Sequence, residues 1–129
     1  MSNDLEANKS VVRSFLRLLE QGNVKAAGDL VADDVQWWVI GNGDSNKAAL
    51  LGIWGQMFGP LSKSRTMRPT GMVAEGNSVA AEFEGDFLLA DGRTFVNHFH
   101  TRFVIDGGRI VRAREYFNTA LIEKLFGAR

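Results

Sequence analysis

Three carboxylates alternate with other residues in one short stretch of the sequence: Glu82, Glu84 and Asp86. Side chains two residues apart in a β-strand point to the same face, so in a strand these three acids would lie close together. Carboxylates that share a shielded site cannot all ionise cheaply, because desolvation and mutual repulsion both raise a carboxyl pKa. Such a cluster can supply both a general base and a proton donor for acid–base catalysis.

The face on which these acids lie depends on the turn that follows them. Asp91-Gly92 separates two strand-like runs, 79–89 and 94–105, and this dipeptide is typical of a two-residue type I′ hairpin turn. With that turn, the predicted cross-strand pairs are Leu88 with Phe95, Asp86 with Asn97, Glu84 with Phe99 and Glu82 with Thr101. The three acids then share a face with the aromatic residues Phe95, Phe99 and Phe103. The hairpin therefore predicts a pocket with apolar walls and acidic groups at its centre.

Ordinary alternation along the first of these strands favours the opposite orientation, with the acids in water and Phe83 and Phe87 in the core. The hairpin register instead places Phe83 and Phe87 on the outer face of the sheet, where a homodimer interface would cover them. His98 and His100 fall on that same outer face. Because a zinc site needs a third ligand and an orienting second shell, we expect these histidines to lie in an interface rather than to bind a metal.

A fourth acid, Glu115, depends on the next turn. A three-residue loop, Asp106-Gly107-Gly108, would place Glu115 inside, opposite Phe99, and would send Arg112 and Arg114 outside. A two-residue turn at the glycines would reverse these faces and bring the arginines towards the acids. We favour the three-residue loop because it buries the more apolar set of side chains. The alternative for Glu115 is a surface carboxylate paired with Arg114 or Lys124.

Helices are predicted in the first half of the chain and strands in the second. The first helix begins at Asn3, with Glu6 completing a capping box, and ends at Gly22. A short second helix follows a cap at Asn23, and a third helix follows a cap at Ser45. The predicted strands are 35–40, 65–74, 79–89, 94–105 and 109–118, and a last helix covers 119–126. Helices followed by an antiparallel meander are typical of an α+β fold, here as one domain of residues 1–129.

Charge and composition argue against several classes of protein. Fifteen basic and fifteen acidic residues give no net charge, so a nucleic-acid partner is not favoured. The absence of cysteine excludes a thiol nucleophile and a disulfide framework. The first residues lack the pattern of a signal peptide, and no apolar run approaches the length of a membrane span. We therefore expect a cytoplasmic protein with no membrane partner.

Two segments carry a resemblance to a known family: Leu30-Val31-Ala32-Asp33-Asp34-Val35, and the tail from Asp106-Gly107-Gly108-Arg109-Ile110 through Arg114-Glu115-Tyr116-Phe117-Asn118. With the order of elements, they make essentially the whole chain similar to SnoaL-like proteins of the nuclear transport factor two-like, or ketosteroid isomerase-like, superfamily. The resemblance implies a cystatin-like roll, in which a cone-shaped curved antiparallel sheet wraps around N-terminal helices and encloses a deep apolar pocket. It also implies a homodimer that packs outer sheet faces together.

The superfamily contains isomerases, polyketide cyclases, epoxide hydrolases, dehydratases and members with no known catalysis, so the resemblance alone does not choose a reaction. The two catalytic acids of ketosteroid isomerases would fall at Val39 and Thr101, which argues against steroid isomerisation by that mechanism. In limonene-type epoxide hydrolases, Asp86 and Glu115 would match the two acids of the acid–arginine–acid triad, but Glu84 stands in place of the arginine. The Tyr and Asn that help to hold water in those enzymes would be replaced by Trp37 and Val39.

Together these patterns predict a cofactor-free acid–base enzyme, of isomerase, cyclase or dehydratase type, acting on a small hydrophobic oxygen-bearing molecule. Asp86 is the predicted base, and a protonated Glu84 or Glu115 the predicted hydrogen-bond donor. The residues expected to line the pocket or bind the substrate are Phe15, Trp37, Trp54, Phe58, Glu82, Asn97, Phe99, Thr101 and Phe103. Two alternatives stay open: a limonene-type epoxide hydrolase, and a non-catalytic domain that binds a hydrophobic ligand.

Overall fold

The computed structural model describes residues 4–127, in which helices and strands follow the predicted α+β order. The helices are α1 (Leu5–Glu20), α2 (Val24–Asp29), α3 (Lys47–Met57) and α4 (Thr119–Phe126). The strands are β1 (Val31–Val39), β2 (Gly43–Ser45), β3 (Ser62–Glu75), β4 (Ser78–Leu89), β5 (Thr94–Asp106) and β6 (Arg109–Phe117). The short strand β2 was not predicted, and β1 begins earlier than the sequence pattern indicated.

These strands form one curved open sheet in the order β2-β1-β6-β5-β4-β3. Neighbouring strands run antiparallel except β1 and β6, which are parallel. The predicted fold class is therefore confirmed, although the sheet is mixed rather than wholly antiparallel. We call the face of the sheet that packs against the helices the inner face, and the opposite face the outer face.

Helix α1 supplies much of the core that covers the inner face. Its buried residues lie on one stripe at helical spacing: Val12, Phe15, Leu16 and Leu19. Polar contacts fix the end of the helix, because Met67 N donates to Glu20 Oε2 at 2.8 Å and Arg65 Nη1 donates to the Glu20 carbonyl at 3.2 Å. These bonds tie α1 to β3 and hold Phe15 over the sheet.

Side-chain caps fix where the helices begin. The predicted cap at Asn3 lies outside the described residues, and Asp4 Oδ1 accepts from Ala7 N at 3.0 Å. Asn23 caps α2 as predicted. For α3 the predicted cap was wrong, since Ser45 belongs to β2 and pairs with Trp37, and Asn46 is the cap.

The turn between β4 and β5 differs from the prediction by one residue. Leu89 N donates to the carbonyl of Arg93 at 2.8 Å, which leaves the three-residue loop Ala90-Asp91-Gly92. A type I′ turn at Asp91-Gly92 needs positive φ at both residues. Gly92 has φ +90°, but Asp91 does not have positive φ, so this turn does not form. The Asp91 carboxylate stabilises the loop by accepting from Arg93 N at 3.1 Å and from Arg93 Nε at 2.9 Å.

This one-residue change moves every side chain of β4 to the other face. The observed pairs are Phe87 with Phe95, Asp86 with Val96, Glu84 with His98, Phe83 with Phe99 and Glu82 with His100. The predicted positions of Glu82, Glu84 and Asp86 were therefore wrong, because these acids lie on the outer face, where Glu82 and Asp86 are exposed and Glu84 is half-buried. Glu84 lies 3.5 Å from Arg68 and 3.7 Å from His98.

Phe83 and Phe87 are buried on the inner face, so the prediction that they form an outer interface was also wrong. His98 and His100 are exposed on the outer face, as the prediction placed them. With the two phenyl rings inside, the physical argument for a homodimer through this face is lost, and the homodimer stays a prediction from the resemblance alone.

The β5–β6 turn also differs from the prediction, yet Glu115 still faces inwards. Gly107 and Gly108, with φ of +57° and +77°, form a two-residue turn that pairs Asp106 with Arg109. The register then shifts by one residue between Ile105 and Val104, which is a β-bulge. The bulge reverses the faces a second time, so Glu115 lies inside opposite Thr101 rather than Phe99, and Arg112 and Arg114 are exposed.

The observed register makes opposite predictions for two adjacent leucines. Leu89 is buried on the inner face and Leu88 is exposed on the outer face. Leu89→Ala is expected to lower the free energy of unfolding by about 2 to 5 kcal/mol, because it removes buried apolar contacts. Leu88→Ala is expected to lower it by less than about 1 kcal/mol. Urea unfolding followed by circular dichroism measures both, and a larger loss at Leu88 would contradict this register.

Candidate functional site

A cavity of about 680 Å³ lies between the inner face of the sheet and helices α1, α3 and α4. Many of the residues that line it are aromatic: Phe15, Trp37, Trp54, Phe58, Phe83, Phe87, Phe95, Phe99, Phe103, Phe117 and Phe126. A volume of this size is typical of a site for a small organic molecule, and apolar walls with few polar groups are typical of such sites.

Trp37 lies at the centre of the deep aromatic wall. Its ring is 5.2 Å from that of Trp54 and 5.9 Å from that of Phe103, at interplanar angles of 71° and 79°. Phe15 packs at 5.8 Å on the same indole. Edge-to-face contacts of this kind are favourable and leave the indole little freedom to rotate. The direction of the Trp37 N–H group is therefore fixed by its neighbours.

That N–H group donates to Glu115 Oε1 at 2.9 Å. Glu115 lies on β6 between Val39 of β1 and Thr101 of β5, and its side chain lines the cavity. Burial raises the pKa of the Glu115 carboxyl, and the hydrogen bond from Trp37 opposes part of that rise. Trp37 donates to Oε1, and no donor among residues 4–127 is found for Oε2, which is therefore the oxygen left for a molecule in the cavity.

Thr101 places a second polar group next to this carboxyl. The residue is 1% exposed, and its hydroxyl is the buried side-chain polar atom for which residues 4–127 supply no hydrogen-bond partner. A buried hydroxyl without a partner costs about 1 to 3 kcal/mol, so such groups normally have a role. Thr101 pairs with Glu115 across neighbouring strands and both residues line the cavity, so their side chains lie next to each other in its wall.

The cavity does not contain the predicted cluster of acids. Glu115 is the one predicted catalytic carboxylate that lines it, since Asp86 and Glu84 lie on the outer face of the sheet. Glu82, predicted to bind substrate, also lies outside. In the part of the chain that the structure describes, no arginine lines the cavity either, so the acid–arginine–acid arrangement is not formed.

The other predicted pocket residues divide clearly. Seven of them line the cavity: Phe15, Trp37, Trp54, Phe58, Phe99, Thr101 and Phe103. Asn97 does not, and its predicted place opposite Asp86 was wrong because it pairs with Gly85. It is buried, donates to the carbonyl of Asn118 at 3.1 Å and accepts from Asn118 N at 3.2 Å. Asn97 therefore holds the residue that caps α4.

Helices α3 and α4 and the segment after α3 border the entrance of the cavity. Phe126 of α4, Ile53 of α3 and Leu61 line the cavity and are also exposed, so they mark its mouth. Arg93, from the β4–β5 turn, donates to the carbonyl of Leu125 at 3.1 Å and holds the far end of α4.

Sequence reasoning missed two important wall residues, Phe83 and Phe87. Ordinary alternation along β4 places both rings in the core, whereas the predicted hairpin register places them on the outer face. Phe83 stacks on Phe99 with ring centroids 4.9 Å apart and planes 4° apart. A Cβ at Gly85 would lie 3.0 Å from Phe87 and 3.1 Å from Phe99, so this glycine lets the rings close the wall.

Neither a metal cluster nor a membrane-spanning segment is found in the described part of the chain. No group of three or more His, Cys, Asp or Glu residues within 4–127 has the arrangement to hold a metal ion. No helix in this range has the length and apolarity needed to cross a membrane.

The chain belongs to the family of SnoaL-like domains, whose pattern it matches over residues 12–113. Among curated proteins, no match is found. This membership and the observed fold confirm the resemblance expected from the two sequence segments.

Solved structures show the same fold at low sequence identity. IdmH from Streptomyces antibioticus, a proposed polyketide cyclase, is 16% identical with a TM-score of 0.78, over 94% of this chain and 99% of that one. An epoxide hydrolase of the LEH-like type from M. tuberculosis is 18% identical with a TM-score of 0.79, over 95% and 90%. A nuclear transport factor two-like protein from Anabaena variabilis is 18% identical with a TM-score of 0.73, over 92% and 94%. Such distant similarity establishes the fold and leaves the reaction to be argued from the site.

The raised pKa of Glu115 predicts how stability depends on pH. Its pKa is higher in the folded than in the unfolded protein, so the stability linked to protonated Glu115 is present at acidic pH and lost as pH rises through the folded-state pKa. Glu115→Gln keeps an acceptor for Trp37 and removes the buried charge. The variant should melt above the wild type at pH 8, and the difference should shrink towards pH 4, as measured by differential scanning calorimetry. A wild-type protein that melts above the variant at pH 8 would show that ionised Glu115 is stabilised rather than strained.

Proposed function

We propose that this protein is a cofactor-free acid–base enzyme that acts on a small hydrophobic molecule bearing a carbonyl oxygen. The observation that carries the proposal is the Glu115 carboxyl, which lies in the wall of an apolar cavity with one oxygen held by the Trp37 indole. A carboxyl whose pKa is raised by burial is a stronger base when ionised and serves as an acid closer to neutral pH.

In the proposed reaction, ionised Glu115 removes a proton from the carbon next to the substrate carbonyl. The electron pair of that C–H bond moves into a new C=C bond, and the carbonyl oxygen takes up the negative charge. In this proposal the Thr101 hydroxyl, which has no hydrogen-bond partner among residues 4–127, donates a hydrogen bond to that oxygen. Protonated Glu115 then returns the proton to another carbon, which gives isomerisation, or to a departing hydroxyl group, which gives loss of water.

Trp37 has a positioning role in this proposal. Its N–H group fixes Glu115 Oε1, so the carboxyl presents Oε2 to the substrate in one orientation. The aromatic wall keeps water away from the charged intermediate and supplies apolar contact to the rest of the molecule.

Two other functions are compatible with this fold: epoxide hydrolysis and ligand binding without catalysis. The epoxide hydrolase alternative is weakened, because neither Asp86 nor an arginine lines the cavity within the described residues. A domain that binds a hydrophobic ligand without catalysis uses the same cavity and the same unpartnered Thr101 hydroxyl, so the experiment has to separate binding from turnover.

A panel of small ketones, enones, β-hydroxy ketones and epoxides tests the proposal by turnover and by binding. For any substrate that reacts, Glu115→Gln should lower kcat/KM by about 10²- to 10⁴-fold, the usual contribution of a general acid or base. Asp86→Asn is the matched control, because it makes the same acid-to-amide change on the outer face and should leave kcat/KM unchanged. Since the base must be ionised, kcat/KM should fall as pH decreases through the raised pKa of Glu115.

The result against the proposal is also specific. Binding of panel compounds with no turnover of any of them would favour the ligand-binding domain. Turnover that survives Glu115→Gln but is lost in Asp86→Asn would place the chemistry on the outer face and contradict the assignment of this cavity.

A further inference from the structure

We infer that the cavity selects its ligand by charge: it accepts molecules whose buried end is an uncharged carbonyl group, such as an ester, and rejects the corresponding carboxylates, with Glu115 as the discriminating residue. The inference rests on the proposed function, because it concerns the ligand of the same cavity. It adds that the buried end of the substrate must be uncharged, which hydrophobicity of the ring system alone does not imply.

The charges around the cavity carry the same sign. Within residues 4–127, the ionisable side chains that line it are Glu115 and Glu123, and no lysine, arginine or histidine does so. On β6, the strand of Glu115 itself, Arg112 and Arg114 are turned away from the cavity. Arg112 donates to Gln36 at 2.7 Å in an exposed pair, and Arg114 stacks on Trp38 with its guanidinium 4.0 Å from the ring centroid.

The groups that face Glu115 from the elements around it are neutral. Trp37 and Val39 of β1 and Thr101 of β5 are its inner-face neighbours. On β6 itself, Arg114 and Tyr116 are exposed on the outer face. The other titratable side chain of the cavity, Glu123 of α4, is exposed at the mouth. Among residues 4–127, a negative charge brought next to Glu115 would therefore meet no compensating cation.

Two costs oppose a carboxylate in this place. It must lose its hydration without gaining an ion pair, and it must approach a carboxyl that is itself negative when ionised. The system can avoid the repulsion by taking up a proton on Glu115, which makes carboxylate binding weaken as pH rises. An ester of the same skeleton carries no charge and needs only a hydrogen bond to its oxygen, which the Thr101 hydroxyl can donate.

Binding of 2-naphthoate and of methyl 2-naphthoate, measured by isothermal titration calorimetry at pH 5.5 and 8.5, tests the inference without a known substrate. These probes share one ring system and differ in charge. For the wild type at pH 8.5, the ester should bind at least about 30-fold more tightly than the carboxylate, given like charges close together in a poorly solvated place. The difference should narrow at pH 5.5.

Two variants identify the residue responsible. Glu115→Gln should tighten binding of the carboxylate by about 10-fold or more and abolish the pH dependence of its affinity, while the ester changes little. Asp86→Asn removes one negative charge from the outer face and should bind both probes as the wild type does. Thermal melting confirms that each variant is folded at both pH values.

Three results of these binding measurements would contradict the inference. Equal affinity of the wild type for both probes at pH 8.5 overturns charge selection and leaves the proposed ligand cavity intact. An ester preference that is unchanged in Glu115→Gln overturns the assignment to this residue. Binding of neither probe at its solubility limit, with turnover absent from the carbonyl panel, overturns the proposed function together with the inference.

Discussion

The hydrogen bond from Trp37 to Glu115 is the interaction on which the site depends. It joins two residues that are 78 positions apart in the sequence, on the parallel strands β1 and β6. A carboxyl in an apolar wall is unfavourable unless a donor satisfies it, and the indole supplies that donor from a ring that three aromatic neighbours hold in place. The aromatic cluster therefore stabilises the core and orients the reactive group through the same contacts.

One carboxyl beside Trp37, with the second one, Glu123, exposed at the mouth, gives this cavity a narrower chemistry than a cluster of acids would. One group that removes and returns a proton is sufficient for isomerisation or loss of water, whereas opening an epoxide by a pair of acids and an arginine needs partners that the wall lacks in the described residues. The fold is shared with a proposed polyketide cyclase and an epoxide hydrolase. The reaction must then follow from the few polar side chains in the wall rather than from the fold.

Local patterns in the sequence were reliable for elements and unreliable for faces. The helices, the strands of the meander and the aromatic inner face of β5 followed from periodicity and turn residues. The face of β4 did not, because Asp-Gly fits both a two-residue turn and a three-residue loop with glycine in the left-handed region. For Glu115 the predicted loop was wrong, yet the predicted face was right, because a β-bulge at Val111 compensates for the shorter turn.

The residues alone are sufficient to identify an α+β domain of the SnoaL-like family with aromatic residues on the helices and strands around a pocket. Tertiary structure decided which acid reaches that cavity. The physical reason is that side chains alternate along a strand, so one residue in a turn exchanges the two faces. Contacts with distant segments hold each turn at its observed length. Ala90 N donates to the carbonyl of Leu61 at 2.9 Å, and Ile110 N donates to the carbonyl of Leu30 at 2.7 Å. Neither contact can be read from the residues of the turns themselves.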